Sequence, residues 1–311
     1  MQPAPFYADV ADAPPGVDCR WLTAGDGVRL RVAAWRGGDK GTVLVFPGRT
    51  EFVEKYAPSA REFGARGYSI ITVDWRGQGL ADRALADRNV GHVAHFADFQ
   101  RDVAAVAGAA RDMGLPGPWF LVGHSMGGAI GLRAIYEGLP VRAAAFSAPM
   151  WGIRLSALMR PVAWALSGAA SAAGLGGRYV PGMNGVTYVR SAPYENNVLS
   201  SDPDMFAYMK RQVTDHPDLA IGGPSLRWLH EALRECRDLA ARPSPALPCH
   251  CAVGPAERVV DIPAIESRMA RWPGATFDRI DGAEHEILME RPGIRARFYD
   301  AAARLFDAQA R

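Results

Sequence analysis

One pentapeptide, Gly123-His124-Ser125-Met126-Gly127, constrains this chain more than any other stretch. Residues 119–122 ahead of it form a short apolar run with the length and residue types of a buried strand. Residues 129–136 behind it (AIGLRAIY) read as a mostly apolar helix. A serine at the tip of so tight a strand-to-helix turn takes a strained backbone conformation. Its neighbours two residues away on either side come too close for a Cβ, which accounts for both glycines. The strain lifts the hydroxyl off the sheet edge, and the N–H groups opening the helix are left to face an anion.

The flanking sequence repeats the same rhythm. Residues 27–35 (GVRLRVAAW) alternate like an antiparallel edge strand, and residues 41–46 (GTVLVF) form a buried strand ending at Pro47-Gly48-Arg49. A helix over 52–66 leads to a buried strand at 68–73, then to the loop Asp74-Trp-Arg-Gly-Gln-Gly. A helix over 96–113 precedes the central strand, and a further strand at 141–146 follows the serine helix. Strands alternating with helices imply an α/β fold, a mainly parallel doubly wound sheet covered on both faces. Ligands of such sheets bind beyond the strands' carboxyl ends, where the serine turn, the Pro47 loop and the Asp74 loop converge.

Near Met150 the rhythm breaks. Residues 151–190 hold four arginines (Arg154, Arg160, Arg178, Arg190) and no acid, amid Trp, Leu, Met, Ala and Gly. Helical, more polar sequence follows at 203–213 and 224–241. The α/β pattern returns with a strand from Leu247, a helix from Ile262, a strand at 275–280 and a helix from Pro292. The expected organisation is a core formed by residues 1–149 and 242–311, with residues 150–241 inserted as a helical cap on the ligand side.

Serine at neutral pH needs a base, and the base needs an orienting acid. Of the seven histidines, only His285 sits in a loop just after the last strand, where the base belongs. His124 adjoins the serine but is expected to point away across the turn. For the acid, Glu257 and Asp261 compete after the strand ending at Val253-Gly254. Asp261 precedes a helix opening Ile262-Pro263 and has a sufficient job as its N-cap, so position favours Glu257. The two donors expected for an oxyanion are the N–H groups of Met126 and Arg49, with Gly48 allowing close approach. The Arg49 side chain is expected to pair with Glu51 or Glu54.

Composition excludes several other classes. A formal charge of +2 with no long basic stripe argues against a nucleic-acid partner. No secretory n-region or h-region opens the sequence, and no stretch of about eighteen uninterrupted apolar residues occurs. Cys249 and Cys251 fall on one face of a strand with His250 on the other, which favours core cysteines over a metal site. A reduced, cytoplasmic protein without metal or organic cofactor is expected.

These motifs resemble the serine-hydrolase branch of the α/β-hydrolase superfamily, and within it the bacterial lysophospholipases and monoglyceride lipases. The resemblance runs from about Trp21 to the end, through FPGRTEFVEKY, DWRGQG, GHSMGG, NNVLSSDPDMF with LAIGGPSLRWLHEA, GPAERVVD and DGAEHEILME. It implies an α/β-hydrolase fold with a helical cap, glutamate as the acid at Glu257, and an acyl-enzyme formed on Ser125 and released by His285-activated water. One departure is that monoglyceride lipases carry His-Gly where this chain has Pro47-Gly48, which weakens direct transfer of glyceride specificity. The substrate implied is a small acyl ester, lipid in character. Its chain would be sheltered by residues 155–175 and lined by Trp151, Trp164 and Trp228. The acid-free arginine stretch suits peripheral contact with anionic lipid at the inner membrane face, although dispersed arginines more commonly solvate a face. Proline iminopeptidases and acyltransferases share the scaffold and stand as alternatives; an aminopeptidase would need acids in the cap to hold a substrate amine.

Overall fold

A computed structural model describes residues 1–310 of the chain. Nine strands form one sheet: β1 (Gln2–Pro3), β2 (Asp18–Thr23), β3 (Arg29–Trp35), β4 (Thr42–Phe46), β5 (Ser69–Asp74), β6 (Trp119–His124), β7 (Ala144–Ser147), β8 (Cys249–Val253) and β9 (Thr276–Arg279). Their order is β1-β2-β3-β5-β4-β6-β7-β8-β9. The pairings from β1 to β5 are antiparallel and those from β5 to β9 are parallel. β3 is not the edge strand its alternation suggests. It lies between β2 and β5, and its residues from Leu30 to Trp35 are buried, so the alternation of arginine with apolar residues reflects a buried Arg31 as much as solvent.

Helices flank the sheet: α1 (Ala8–Ala11), α2 (Ala57–Ala65), α3 (Phe99–Asp112), α4 (Met126–Tyr136), α5 (Met159–Ala172), α6 (Tyr188–Ser191), α7 (Pro203–Asp215), α8 (Leu226–Ala241), α9 (Ile262–Met269) and α10 (Pro292–Gln309). Period-two alternation divides the core between the two faces. Leu44, Phe46, Leu121 and Phe146 meet α3, α4 and α9, whereas Val43, Val45, Phe120 and Val122 meet α2 and α10. Cys249 and Cys251 belong to the first of these layers, and His250 on the opposite side bonds Thr276 Oγ1 through Nδ1 at 2.9 Å.

The chain runs from β4 to β5 on one side and then returns to β6 on the other, so the order reverses beside β4. Crevices open at such a reversal. The loops after β4 and β6 border it, and the helical insertion carrying α5 to α8 stands between β7 and β8 in the chain. Among the described residues no helix is long and apolar enough to cross a membrane.

Candidate active site

β6 delivers Ser125 at φ +50°, ψ −120°, and α4 starts at the next residue. The turn is pinned by Ser125 N–H donating to Ser147 O at 3.1 Å, and by Gly128 and Met150 N–H donating to Ser125 O at 2.9 and 2.8 Å. A Cβ on Gly127 would stand 2.0 Å from the Phe46 carbonyl oxygen, and one on Gly123 would meet Gly127 O at 3.0 Å. Both glycines are therefore required by contact with fixed backbone.

The loop after β9 brings His285 to the serine. Its Nε2 lies 3.0 Å from Ser125 Oγ, and its Nδ1 lies 2.6 Å from Glu257 Oε2. All three residues are buried. The second Glu257 oxygen accepts from Val259 N–H at 2.5 Å and Val260 N–H at 3.0 Å. Burial pushes this carboxyl up, but the adjoining imidazole and the two N–H groups outweigh it and leave it below the ordinary carboxylate value. The acid loop and the histidine loop are seated on each other at Gly254, where a Cβ would lie 1.9 Å from Ala283 O.

Asp261 is not part of this line. It occupies the N-cap position of α9 with extended backbone, yet its side chain makes no cap bond. Its Oδ2 accepts from Arg160 Nη2 at 2.8 Å instead, so the side chain ties the acid loop to α5 rather than capping a helix. Arg154 makes a similar link, donating from Nη1 to Glu257 O at 2.7 Å and from its backbone N–H to Val259 O at 3.2 Å.

The N–H groups of Met126 and Arg49 flank the serine from α4 and from the loop after β4, and neither meets a protein acceptor among the described residues. That loop is held from the Asp74 turn: Trp75 Nε1 donates to Pro47 O at 3.0 Å, Gln78 Nε2 to Gly48 O at 3.0 Å, and Thr50 N–H to Gln78 Oε1 at 3.0 Å. The DWRGQG segment thus holds the loop that carries the Arg49 N–H from the neighbouring strand.

The Arg49 side chain pairs with neither expected glutamate. Glu54 takes both nitrogens of the buried Arg31 at 2.8 and 2.7 Å. Glu51 accepts from Lys55 Nζ at 2.5 Å and from Tyr56 Oη and Gly48 N–H. Arg49 donates to Gly222 O at 2.6 Å and stacks over Trp228 with 5.2 Å between guanidinium carbon and ring centre.

Behind His285 lies a buried charge cluster that sequence reasoning missed. Lys55 Nζ bridges Glu51 at 2.5 Å and Glu286 at 2.7 Å, and His124 Nε2 lies 3.1 Å from Glu286 Oε2. The His124 ring turns from Ser125 as expected, with Nδ1 3.1 Å from Ser147 O, yet it stands 4.9 Å from the His285 ring. Burial raises the Glu286 carboxyl, but Lys55 and His124 overcome this and hold it well below the ordinary value. Burial lowers His124, but Glu286 and Glu51 outweigh it and raise the imidazole. Glu51, His124 and Glu286 could offer three ligand atoms to a cation, but the Lys55 ammonium already occupies their midst. The i,i+4 spacing of Glu51 and Lys55 and the acid directly after His285 were the available signals.

Ser125 and His285 open into a cavity of about 580 Å³, within the size range of small-molecule sites. Of the three expected tryptophans only Trp228 lines it. Trp151 is core: it packs on Phe146 and Trp272 and donates from Nε1 to Gly128 O at 3.2 Å. Trp164 packs edge-on to His230 with Arg237 over its ring, both from α8, and does not line the cavity. Nor does the segment 155–175 shelter the cavity beyond Leu155. The apolar wall comes mainly from Val180, Met183, Val186, Val189, Leu199, Met209 and Val213. The outward residues Leu158, Met159, Val162 and Leu166 are exposed.

Residues 37–292 match the model of the family described as serine aminopeptidase, S33. The chain belongs to this family of α/β hydrolases. Lysophospholipase L2 of Escherichia coli strain K12 is 32% identical to it over 293 residues, covering 88% of this chain and 83% of that protein. Among solved structures, a soluble variant of monoglyceride lipase from Saccharomyces cerevisiae superposes with a TM-score of 0.71 at 18% identity, over 93% of this chain and 94% of its own. A carboxyl esterase from Bacillus coagulans gives 0.74 at 15% identity, over 96% and 100%. The S33 family membership and these folds agree with the doubly wound sheet and helical insertion described above.

Proposed function

We propose that this S33 hydrolase cleaves single-chain lipid esters, lysophospholipids or monoacylglycerols, through Ser125, His285 and Glu257 and a covalent acyl-enzyme. The observation that carries the reading is the unbroken line from Glu257 Oε2 through the His285 ring to Ser125 Oγ, 2.6 and 3.0 Å at its two joints, at the floor of an apolar cavity. Ser125 Oγ attacks the acyl carbon as its proton passes to His285 Nε2, and the oxyanion accepts from the Met126 and Arg49 N–H groups. The imidazolium then gives that proton to the departing alcohol oxygen. Water, losing a proton to the same Nε2, attacks the acyl carbon; the bond to Ser125 Oγ then breaks as Nε2 returns that proton to Oγ, and the fatty acid leaves. Glu257, kept ionised by its surroundings, holds the proton on Nδ1 and offsets the imidazolium charge. Residues 150–241 act as the cap that supplies the acyl wall.

Lysophospholipase and lipase relatives support the ester over the amide substrate. So does charge. The carboxylates lining the cavity, Glu51 and Glu286, are both engaged by Lys55, and neither is left to hold the ammonium an aminopeptidase must bind. The exposed apolar stripe of Leu158, Met159, Val162 and Leu166, set in a stretch with arginines and no acids, fits peripheral contact with an anionic lipid surface.

The test is a fluorophosphonate probe together with hydrolysis of a lysophospholipid and a monoacylglycerol. Wild type takes up one equivalent of probe and turns over ester; Ser125→Ala takes up none and loses about 10⁴-fold or more in kcat. Undiminished hydrolysis by Ser125→Ala ends this reading.

A further inference from the structure

Five charged or chargeable groups line the cavity that holds Ser125: Arg49, Glu51, Lys55, His285 and Glu286. Four have counter-ions or hydrogen-bonded partners of opposite character within the protein. Lys55 lies between Glu51 and Glu286, and His285 faces Glu257. Arg49 alone has none: no carboxylate comes within ion-pair distance of it among the described residues, and its contacts are the Gly222 carbonyl and the Trp228 face. Its Nε is buried with no acceptor at all.

This guanidinium nevertheless has a built seat. A Cβ on Gly91 would lie 2.4 Å from Arg49 Nη2, so a larger residue there would push the guanidinium from its place. Gly91 N–H donates to Gly223 O and Gly222 N–H to Asn89 O, which joins the walls of the seat across 130 residues of sequence. Ser225, two residues on, caps α8 through its Oγ and the Trp228 N–H at 3.0 Å, which orients the indole under the guanidinium. Burial pushes the Arg49 guanidinium down to about 10, so it stays charged at neutral pH. A half-buried cation without a counter-ion is a costly arrangement unless an anion arrives with the ligand.

We propose that the Arg49 side chain binds a phosphodiester on the alcohol half of the ester, and so makes this a site for lysophospholipids in preference to neutral monoacylglycerols. The proposal rests on the ester-hydrolase reading above. Arg49 borders both the cavity and a closed void beside Gly91 and Trp228, so in this arrangement its backbone N–H would serve the ester carbonyl and its side chain the head group. A glycerol backbone spans the same few bonds between acyl oxygen and phosphate. Planar guanidinium on phosphate oxygens is a strong, directional contact, and Trp228 and Gly222 hold its plane.

The experiment compares kcat/KM for a lysophosphatidylcholine and a monoacylglycerol of the same acyl chain, in wild type, Arg49→Met and Arg49→Lys. Arg49→Met is expected to lower the ratio of the two values at least tenfold, and Arg49→Lys to restore part of it. Equal losses on both substrates, or an unchanged ratio, overturn the proposal while leaving the ester reading intact. A wild type inactive on both fails the ester reading itself, and with it this assignment. A second measurement needs no variant: sn-glycero-3-phosphocholine is expected to inhibit p-nitrophenyl butyrate hydrolysis by wild type competitively, and glycerol is not. Octanoate serves as the carboxylate arm. If it inhibits and the phosphodiester does not, Arg49 serves the fatty-acid product and the proposal falls.

Discussion

The carboxyl edge of the sheet and the inserted helices build one cavity by opposite means. At the edge, each reactive group is held by several backbone bonds and by glycines that pack against carbonyl oxygens, as Gly127 does on Phe46 and Gly254 on Ala283. The insertion contributes interchangeable apolar side chains, Val180, Met183, Val186 and Met209 among them, and turns a further apolar stripe outward from α5. Chemistry demands positions within fractions of an ångström, whereas an acyl chain demands only volume and the absence of water. Substitutions should therefore act sharply on the edge and gradually on the insertion.

The largest expected effect is at the acid. Glu257→Gln should lower kcat on the order of 10³–10⁴-fold by removing the partner that fixes the His285 tautomer, while Asp261→Asn, which only frees Arg160, should leave kcat near wild type. A steady-state comparison on one soluble ester decides, and a greater loss in the Asp261 variant would transfer the role.

Next comes the charge cluster behind the histidine. Glu286→Gln leaves Lys55 with Glu51 alone and should cost about 3 kcal/mol of stability near neutral pH, read by denaturant melts. The Glu286 carboxyl is held below its ordinary value of 4.5 in the fold. Its contribution is therefore complete above that pH and fades as pH falls through the lower folded-state value, so the gap between wild type and variant should narrow in acid. His124 acts in the reverse sense: its imidazole is raised above 6.5, and its contribution is lost as pH rises through the raised value. A gap that widens in acid would mean that Glu286 is protonated in the native protein.

The smallest expected effect lies on the insertion's outer face. Val162→Ser should weaken binding to vesicles of anionic phospholipid about fivefold, in keeping with ~1 kcal/mol of exposed apolar surface removed from contact. Turnover of a soluble ester should not change. Co-sedimentation indistinguishable from wild type would remove α5 from any lipid contact.

The same division decided what could be read from the residues alone. That Ser125, His285 and Glu257 meet was legible because a strained turn, a loop after the last strand and a carboxylate three residues past a glycine leave few alternatives. The parallel sheet was legible because its strands are near-continuous apolar runs. The alternation over 27–35 suggests an edge strand, but β3 is paired on both sides and its Arg31 is buried against Glu54 and Asp74. The resemblance suggests Trp151 and Trp164 as cavity residues, but large apolar rings serve a core equally well. Arg49 was assigned a glutamate from its neighbours in sequence, but those glutamates are claimed by Arg31 and Lys55. Competition among charges is settled in three dimensions, and spacing along the chain carries little of it.

The two arginines that open the insertion have a mechanical corollary. Arg154 and Arg160 stitch its first turn to residues 257, 259 and 261, so that end cannot swing outward without pulling on the carboxylate that steadies the histidine. Farther along the insertion, Met183, Val186 and Tyr188 line the same cavity and stand half in solvent. The stitched end and this half-solvated wall are separate stretches of the insertion, so a guest that brushes past the second need not tug on the first.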